Sequence, residues 1–329
     1  MENQEFKAFV VAEQDGEFTT SIQTKQIKDL PAGDLVVKVE YSSLNYKDAL
    51  SATGNKGVTR HFPHTPGIDA VGTVVKSDNP EFKQDDKVIV TSYDLGMNTA
   101  GGFAQYIRVP SAWALKLPAN LSPKEAMIYG TAGLTAGMSV LRLTELVAPE
   151  SGTILVSGAT GGVGSLAVLI LAKLGYSVTV ITGKESEQEY LKYLGAQAVI
   201  LRQDFENLAN KPLLKPMCAG AIDTVGGTIL ENMLKVTAPM GVVTCCGNAA
   251  SIKLNTTVFP FILRGVSLIG IDSQNYPMPY RKTVWDKLAN EWKSEKLAEN
   301  FVEVSLEELD EKIAQILQGQ IKGRVLVAL

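Results

Sequence analysis

Thr153-Ile-Leu-Val-Ser-Gly-Ala-Thr-Gly-Gly-Val-Gly-Ser-Leu-Ala-Val168 joins a short β-forming run to an apolar run through a glycine-rich turn. Residues 153–156 predict a buried strand, and LAVLILAKLG from Leu166 predicts a buried helix that stops at Gly175. The spacing Ala159-x-Gly161-x-x-Gly164 is the dinucleotide fingerprint with its first glycine replaced by alanine, and it follows a strand and opens a helix as that motif requires. Small side chains at Ala159 and Gly161 let the backbone approach a pyrophosphate, and Gly164 lets helix and strand pack closely. The candidate cradle is the whole turn, Ala159, Thr160, Gly161, Gly162, Val163 and Gly164, with the N–H groups of the helix start facing the anion.

The next strand, 177–182, ends about 20 residues after the turn, where a sheet of this kind reads the adenosine ribose. An acidic residue there would accept a bond from the ribose 2′-OH of NAD, but this chain has Thr182-Gly183-Lys184. A carboxylate repels a 2′-phosphate and Lys184 attracts one; Arg202, just after the third strand at 198–201, is placed to join it. Charge-assisted hydrogen bonds contribute roughly 1.5 to 3 kcal/mol each. Two of them imply a preference for NADPH on the order of 10² to 10⁴-fold.

Composition bounds the rest. A chain of 329 residues with 45% apolar content suggests two domains with sizeable cores. With 31 basic and 35 acidic residues the net charge is −4, too weak a field to suggest a nucleic acid or membrane partner. No secretory apolar region follows Met1, and no run approaches the ~18 to 20 residues of a membrane span. Cys218, Cys245 and Cys246 make no disulfide framework, so a reducing cytoplasm is expected.

Before the glycine turn, β-type segments at 6–11, 35–41, 69–75, 87–92 and 104–109 are separated by Gly, Pro and Asp turns, which suits a partly closed β-barrel-like domain. From Pro123 the chain turns helical. Strands are then expected at 153–157, 178–182, 198–201, 221–224, 241–246 and 266–270, with helices at 163–174, 185–194 and 228–237. That alternation makes an α/β, doubly wound parallel sheet of the Rossmann kind. A helix at 280–296 should follow, then strand, helix and strand within 302–329, the last strand returning to the first domain. The expected division is 1–125 with 301–329 for the first domain and 126–300 for the nucleotide-binding one.

This order resembles the medium-chain dehydrogenase/reductase family over the whole chain. Pro66-Gly67-Ile68-Asp69-Ala70-Val71-Gly72 resembles its barrel motif, and Gly130-Thr131-Ala132-Gly133 the segment whose threonine faces the nicotinamide. Asp223-Thr224-Val225-Gly226-Gly227 and Gly323-Arg324-Val325 fit the quinone oxidoreductase branch. Ser42-Ser-Leu-Asn-Tyr-Lys-Asp48, Gly183-Lys-Glu-Ser186, Pro260-Phe-Ile-Leu-Arg264 and Gly270-Ile-Asp-Ser273 are similar to the zinc-free subfamily that contains the acrylyl-CoA reductases. The resemblance implies a GroES-like catalytic domain, a homodimer paired through the 266–270 strand edge and the FPFILRG stretch, and an NADPH-dependent oxidoreductase. It places Asn45, Tyr46 and Asp48 near the nicotinamide, with Tyr46 and Thr131 also touching the cofactor. Asn248 and Gln274, at carboxyl ends of strands, would contact its nicotinamide end, and Arg324 would reach it from the returning segment.

Zinc members carry Cys and His where this chain has Asn45 and Ile68, and neither replacement can ligate zinc. His61 and His64 lie in a loop without a third ligand nearby, so no metal site is expected. What remains is hydride transfer to an electron-poor C=C or a quinone, for which the protein holds the reactants and stabilises an oxyanion. Tyr46 either donates a hydrogen bond or proton to the enolate or packs at the barrel mouth. Asn45 either orients substrate or ribose or serves a turn, Asp48 supports the site, and Lys47 reads as a solvated neighbour. The preferred acceptor is an acrylyl-CoA-like enoyl thioester, with a quinone second and a non-enzymatic NADPH- or RNA-binding protein third. Lys56, Arg60 and Arg264 are the candidates for the phosphates of CoA.

Overall fold

In β1 (Glu5–Gln14) the side chains of Phe6, Ala8 and Val10 go inward, and the strand turns back at Asp15-Gly16, both at positive φ, into β2 (Glu17–Gln26). Two central residues with φ > 0 make the hairpin turn whose twist matches its strands. The chain continues through β3 (Leu35–Leu44), α1 (Tyr46–Ala52), β4 (Asp69–Ser77), β5 (Lys87–Thr91), β6 (Tyr106–Val109), β7 (Ala114–Lys116) and α2 (Pro123–Thr144). Then follow β8 (Ile154–Ser157), α3 (Gly162–Lys173), β9 (Val178–Thr182), α4 (Gln188–Leu194), β10 (Ala198–Leu201), α5 (Arg202–Glu206), β11 (Cys218–Asp223), α6 (Gly227–Val236), β12 (Thr237–Cys245), α7 (Phe259–Arg264) and β13 (Ser267–Gly270). The chain ends with α8 (Met278–Ala289), β14 (Phe301–Val304), α9 (Leu309–Leu317) and β15 (Arg324–Ala328). The computed structural model describes all of residues 1–329.

These elements form two units: Met1–Thr131 with Gln274–Ala289 and Ala298–Leu329, and Ala132–Ser273 with Asn290–Leu297. In the first, β14, β15, β3, β4, β5 and β7 make one sheet in that order, β6 pairs with β3, and β1–β2 form a separate hairpin. The C-terminal strand β15 pairs antiparallel with β3, Val327 opposite Ser42, so the return of the last strand is as expected. In the second unit six parallel strands run in the order β10-β9-β8-β11-β12-β13, a doubly wound sheet. Val156, Ala221 and Val243 on its central strands are fully buried, as strands covered on both faces must be.

The structure adds β7, α5 and α7 to the sequence reading and differs from it further in the following places. Strand β2 was unseen because its residues EFTTSIQTKQ are polar and largely exposed, although Asp15-Gly16 signals the hairpin. The seven-residue helix α1 lies where only a cleft segment was expected. The helix expected over 280–296 stops at Ala289, where the chain passes from one unit to the other. Finally, 274–289 groups with the first unit, whereas the expected division placed it in the second. Within the first unit the buried guanidinium of Arg281 donates to the carbonyls of Thr91, Tyr276 and Gln274 and lies under the Tyr93 ring. No helix is long and apolar enough to cross a membrane.

Candidate functional site

In the second unit the glycine turn connects β8 to α3. A Cβ on Gly164 would collide with the Gly158 carbonyl, so only glycine lets the helix start this close to the strand. Ala159 and Thr160 are buried, while Gly161, Gly162 and Val163 are half-buried at the opening of α3. The first amide bonded back within the chain there is Ser165 to Gly161, which leaves the N–H groups of Gly162 to Gly164 directed out of the helix start. Free N–H groups at a helix start can hold an anion.

The neighbouring strand ends supply positive charge. β9 and β10 pair in register with Leu201 opposite Thr182, which puts Arg202 beside Gly183. The guanidinium carbon lies 3.6 Å from the position a Gly183 Cβ would take. The buried Thr182 hydroxyl accepts the Lys184 N–H at 3.0 Å and so fixes the turn. Asn248, past the end of β12, is exposed beside Gly226. Beneath the turn, the Ser157 hydroxyl donates to the buried Asp223 carboxylate at 2.7 Å. Burial pushes the Asp223 carboxyl above its usual range, against the bonds it accepts.

In the first unit the residues expected near the reacting atoms are joined by hydrogen bonds. Asn45 caps α1, its N–H donating to the Asp48 carboxylate at 2.8 Å. Asp48 also accepts the N–H groups of Gly67 and Ile68, at 3.1 and 2.8 Å. The Asn45 side-chain amide donates to Asp69 at 2.8 Å. Asp69 in turn accepts the Ser43 hydroxyl at 2.7 Å, the Thr131 N–H at 2.9 Å and the Thr131 hydroxyl at 2.6 Å. Thr131 follows Gly130, which interrupts α2 at φ 51°, ψ −152°, a conformation open only to glycine. A Cβ there would also lie 2.5 Å from Asp69 Oδ2.

Burial, and then the charge of Asp69, push the Asp48 carboxyl up to about 7, against the N–H groups it accepts. Burial lowers the Arg324 pKa and the two carboxylates oppose this. Ser92 and Tyr93 are successive non-glycine residues in the left-handed region, at φ 61° and 51°. Such strain persists only where the surroundings impose it. Here the Ser92 hydroxyl meets that of Thr131 at 2.8 Å, and Tyr93 stacks on Trp113.

Several expectations change. Asn45 is 8% exposed, with its amide nitrogen turned to Asp69, Asp48 and the Ser43 carbonyl, and Asp48 is fully buried. Arg324, read as a cofactor contact, is 3% exposed and donates inward to Ile128, Leu44 and Ser43. Arg264, a candidate for a CoA phosphate, is held by the carbonyls of Lys235, Thr237 and Leu214. Lys56 pairs with Glu13 and lies over the rings of Phe18 and Phe62. Lys47 is not merely a solvated neighbour, since it donates to the Gln274 side chain at 2.8 Å. Tyr46, on the first turn of α1, is 48% exposed. His61 is exposed and His64 buried, and no three His, Cys, Asp or Glu side chains come together as metal ligands would. Sequence reasoning gave no role to Asp69, Ser43, Ser92 or Tyr93; the motifs containing Asp69 and Ser43 offered a signal, and Ser92 and Tyr93 had none.

Residues 31–119 match the family model described as the alcohol dehydrogenase GroES-like domain, and residues 162–290 the one described as zinc-binding dehydrogenase. The chain is 44% identical over 326 residues to Bacillus subtilis YhfP, named "Putative quinone oxidoreductase YhfP", covering 98% of this chain and 99% of that one. The crystal structure of YhfP with NAD bound superposes with a TM-score of 0.97 and covers 99% of this chain and all of that one. Acrylyl-CoA reductase AcuI of Ruegeria pomeroyi is 39% identical over 325 residues, 98% of each chain. The crystal structure of Escherichia coli K-12 YHDH with bound NADPH is 43% identical, with a TM-score of 0.94 over 98% of this chain and 99% of that one.

Proposed function

Because the chain belongs to the medium-chain dehydrogenase/reductase family, in its zinc-free branch of quinone oxidoreductases and acrylyl-CoA reductases, we propose that it is an NADPH-dependent reductase of an activated C=C bond. The preferred acceptor is an acrylyl-CoA-like enoyl thioester. The observation that carries this reading is near-full-length similarity to an acrylyl-CoA reductase. When bound, the cofactor supplies a hydride to the β-carbon. The chain's own residues orient the acceptor and meet the charge that collects on the conjugated carbonyl oxygen. Tyr46 is the exposed donor proposed for that oxygen, and Asn45 and Asp48 fix the helical turn on which it stands.

For the dinucleotide, the Ala159 to Gly164 turn would hold the pyrophosphate, and Lys184 and Arg202, beside Gly183, the 2′-phosphate. The absence of a carboxylate at the end of β9 supports NADPH over NADH, as does the NADPH-bound relative; the NAD-bound relative shows that the branch admits the other cofactor. Thr131, Asn248 and Gln274 remain candidates for its nicotinamide end. A quinone is the second acceptor, favoured by the name of the 44% identical relative. A homodimer is the proposed assembly, because β13 ends its sheet and Val258, Phe259, Ile262 and Leu263 just before it are exposed.

The test is NADPH oxidation with acrylyl-CoA and 1,4-benzoquinone assayed side by side. Saturable turnover of the thioester with slow quinone reduction is expected. Turnover of the quinone alone replaces the first reading with the second. Turnover of neither leaves a nucleotide-binding protein without this activity.

A further inference from the structure

Eight residues of the first unit form a closed circuit around the start of α1. The Asn45 amide donates to Asp69 at 2.8 Å, and Asp69 accepts the Thr131 hydroxyl at 2.6 Å. The Thr131 oxygen meets the Ser92 hydroxyl at 2.8 Å. Ser92 is bonded through the chain to Tyr93, whose N–H donates to the Gln274 carbonyl at 3.2 Å. The Gln274 side chain accepts Lys47 Nζ at 2.8 Å, and the chain from Lys47 through Tyr46 to Asn45 closes the loop. The backbone of Tyr46 and the residues Thr131 and Gln274, all proposed for the reacting end, are thus tied into one circuit by Asn45, Lys47, Asp69, Ser92 and Tyr93.

Asp69 is the group on which this circuit turns. Its carboxylate is buried and links β4 to three other places at once: Ser43 on β3, Asn45 at the cap of α1, and Thr131 at the break in α2. Arg324 from β15 stands 3.9 Å away and donates to the same Ser43 hydroxyl. The single hydroxyl hydrogen of Thr131 goes to Asp69, so the Ser92 hydroxyl is the donor in the contact between them. Each hydroxyl in the path therefore has one orientation. Among the polar side chains here, only Asp69 bonds both Asn45 and Thr131.

We propose that Asp69 is a positioning residue for the reduction, acting through Asn45 to hold Tyr46, with the Thr131 N–H and hydroxyl anchoring the Asp69 carboxylate at the kink of α2. The proposal rests on Tyr46 being the group that meets the acceptor. Misplacing a catalytic group by about 1 Å can cost about 10²-fold in rate. Loss of the Asp69 charge should therefore lower kcat far more than it raises KM.

The experiment is a double-mutant cycle on the full chain with NADPH and acrylyl-CoA or the quinone, whichever the wild type turns over. Asp69→Asn is expected to lower kcat about 10²-fold with the KM for NADPH changed no more than about 3-fold. Adding Asp69→Asn to Tyr46→Phe should slow the enzyme no further, because both losses pass through one group. A folded Asp69→Asn protein with kcat within about 3-fold of wild type overturns the proposal, as do losses that multiply in the double variant. If Asp69→Asn does not fold, Ser43→Ala removes one donor to Asp69 and keeps the Ser43 carbonyl that accepts the Asn45 amide. It should lower kcat in the wild-type background and not in Tyr46→Phe; equal kcat with and without Ser43 overturns the proposal. Wild-type turnover of neither acceptor overturns the functional reading as well, whereas wild-type turnover with an unslowed Asp69→Asn variant overturns this proposal alone.

Discussion

Asp48 accepts the Ile68 N–H at 2.8 Å, and the residue after Ile68 is Asp69, the second buried carboxylate of the same pocket. Burial first and the Asp69 charge second raise the Asp48 pKa from 3.8 to about 7. A carboxyl whose pKa is higher folded than unfolded binds its proton more tightly in the folded state, so stability from this group falls as pH rises between those values. Urea midpoints measured from pH 4 to 8 should show this decline in the wild type and a shallower one in Asp48→Asn. Parallel curves for the two proteins would remove Asp48 as the source.

Lys184 and Arg202 lie beside Gly183, just past the ends of the adjacent parallel strands β9 and β10. Lys184→Glu should raise the KM for NADPH by orders of magnitude and leave NADH little affected or improved, because a carboxylate repels the 2′-phosphate and can accept from the 2′-OH. Arg202→Ala should cost about tenfold in NADPH affinity, the equivalent of ~1.4 kcal/mol. Unchanged cofactor selectivity in steady-state kinetics would refute both assignments.

Tyr46 is half-exposed on a helical turn whose cap is rigidly bonded. If its hydroxyl acts only as charge develops on the acceptor, Tyr46→Phe lowers kcat more than it raises KM. Wild-type kcat in that variant would reduce Tyr46 to packing.

Arg324 is buried, bonded to two carbonyls and a hydroxyl, and 3.9 Å from Asp69. Arg324→Met leaves Asp69 buried without its cation. The expected cost is roughly 3 kcal/mol, at the low end for a broken buried pair because Asn45, Ser43 and Thr131 still donate. Urea unfolding at pH 7 measures it, and a loss below ~1 kcal/mol would show the pair to be dispensable.

The exposed side chains of Ile262 and Leu263 precede the end strand β13. Charges at both positions should convert a dimer to a monomer in light scattering. A wild-type monomer would remove the proposed assembly.

The sequence alone determined the second unit, because a buried parallel strand, a glycine turn and a buried helix each leave a local mark: apolar runs, obligatory small residues and a stop at glycine. Strands 178–182 and 198–201 were legible for that reason. The mutual arrangement of the first-unit residues was not legible. Asp69 meets Asn45 across 24 residues and Thr131 across 62, Lys47 meets Gln274 across 227, and Arg324 reaches Ser43 across 281. A hydrogen bond needs groups within about 3 Å of each other, and nothing in the spacing of such distant residues encodes that approach. Only the folding of β15 back onto β3 and the break at Gly130 bring them together, and there the Asp69 carboxylate accepts from Ser43, Asn45 and Thr131 at once.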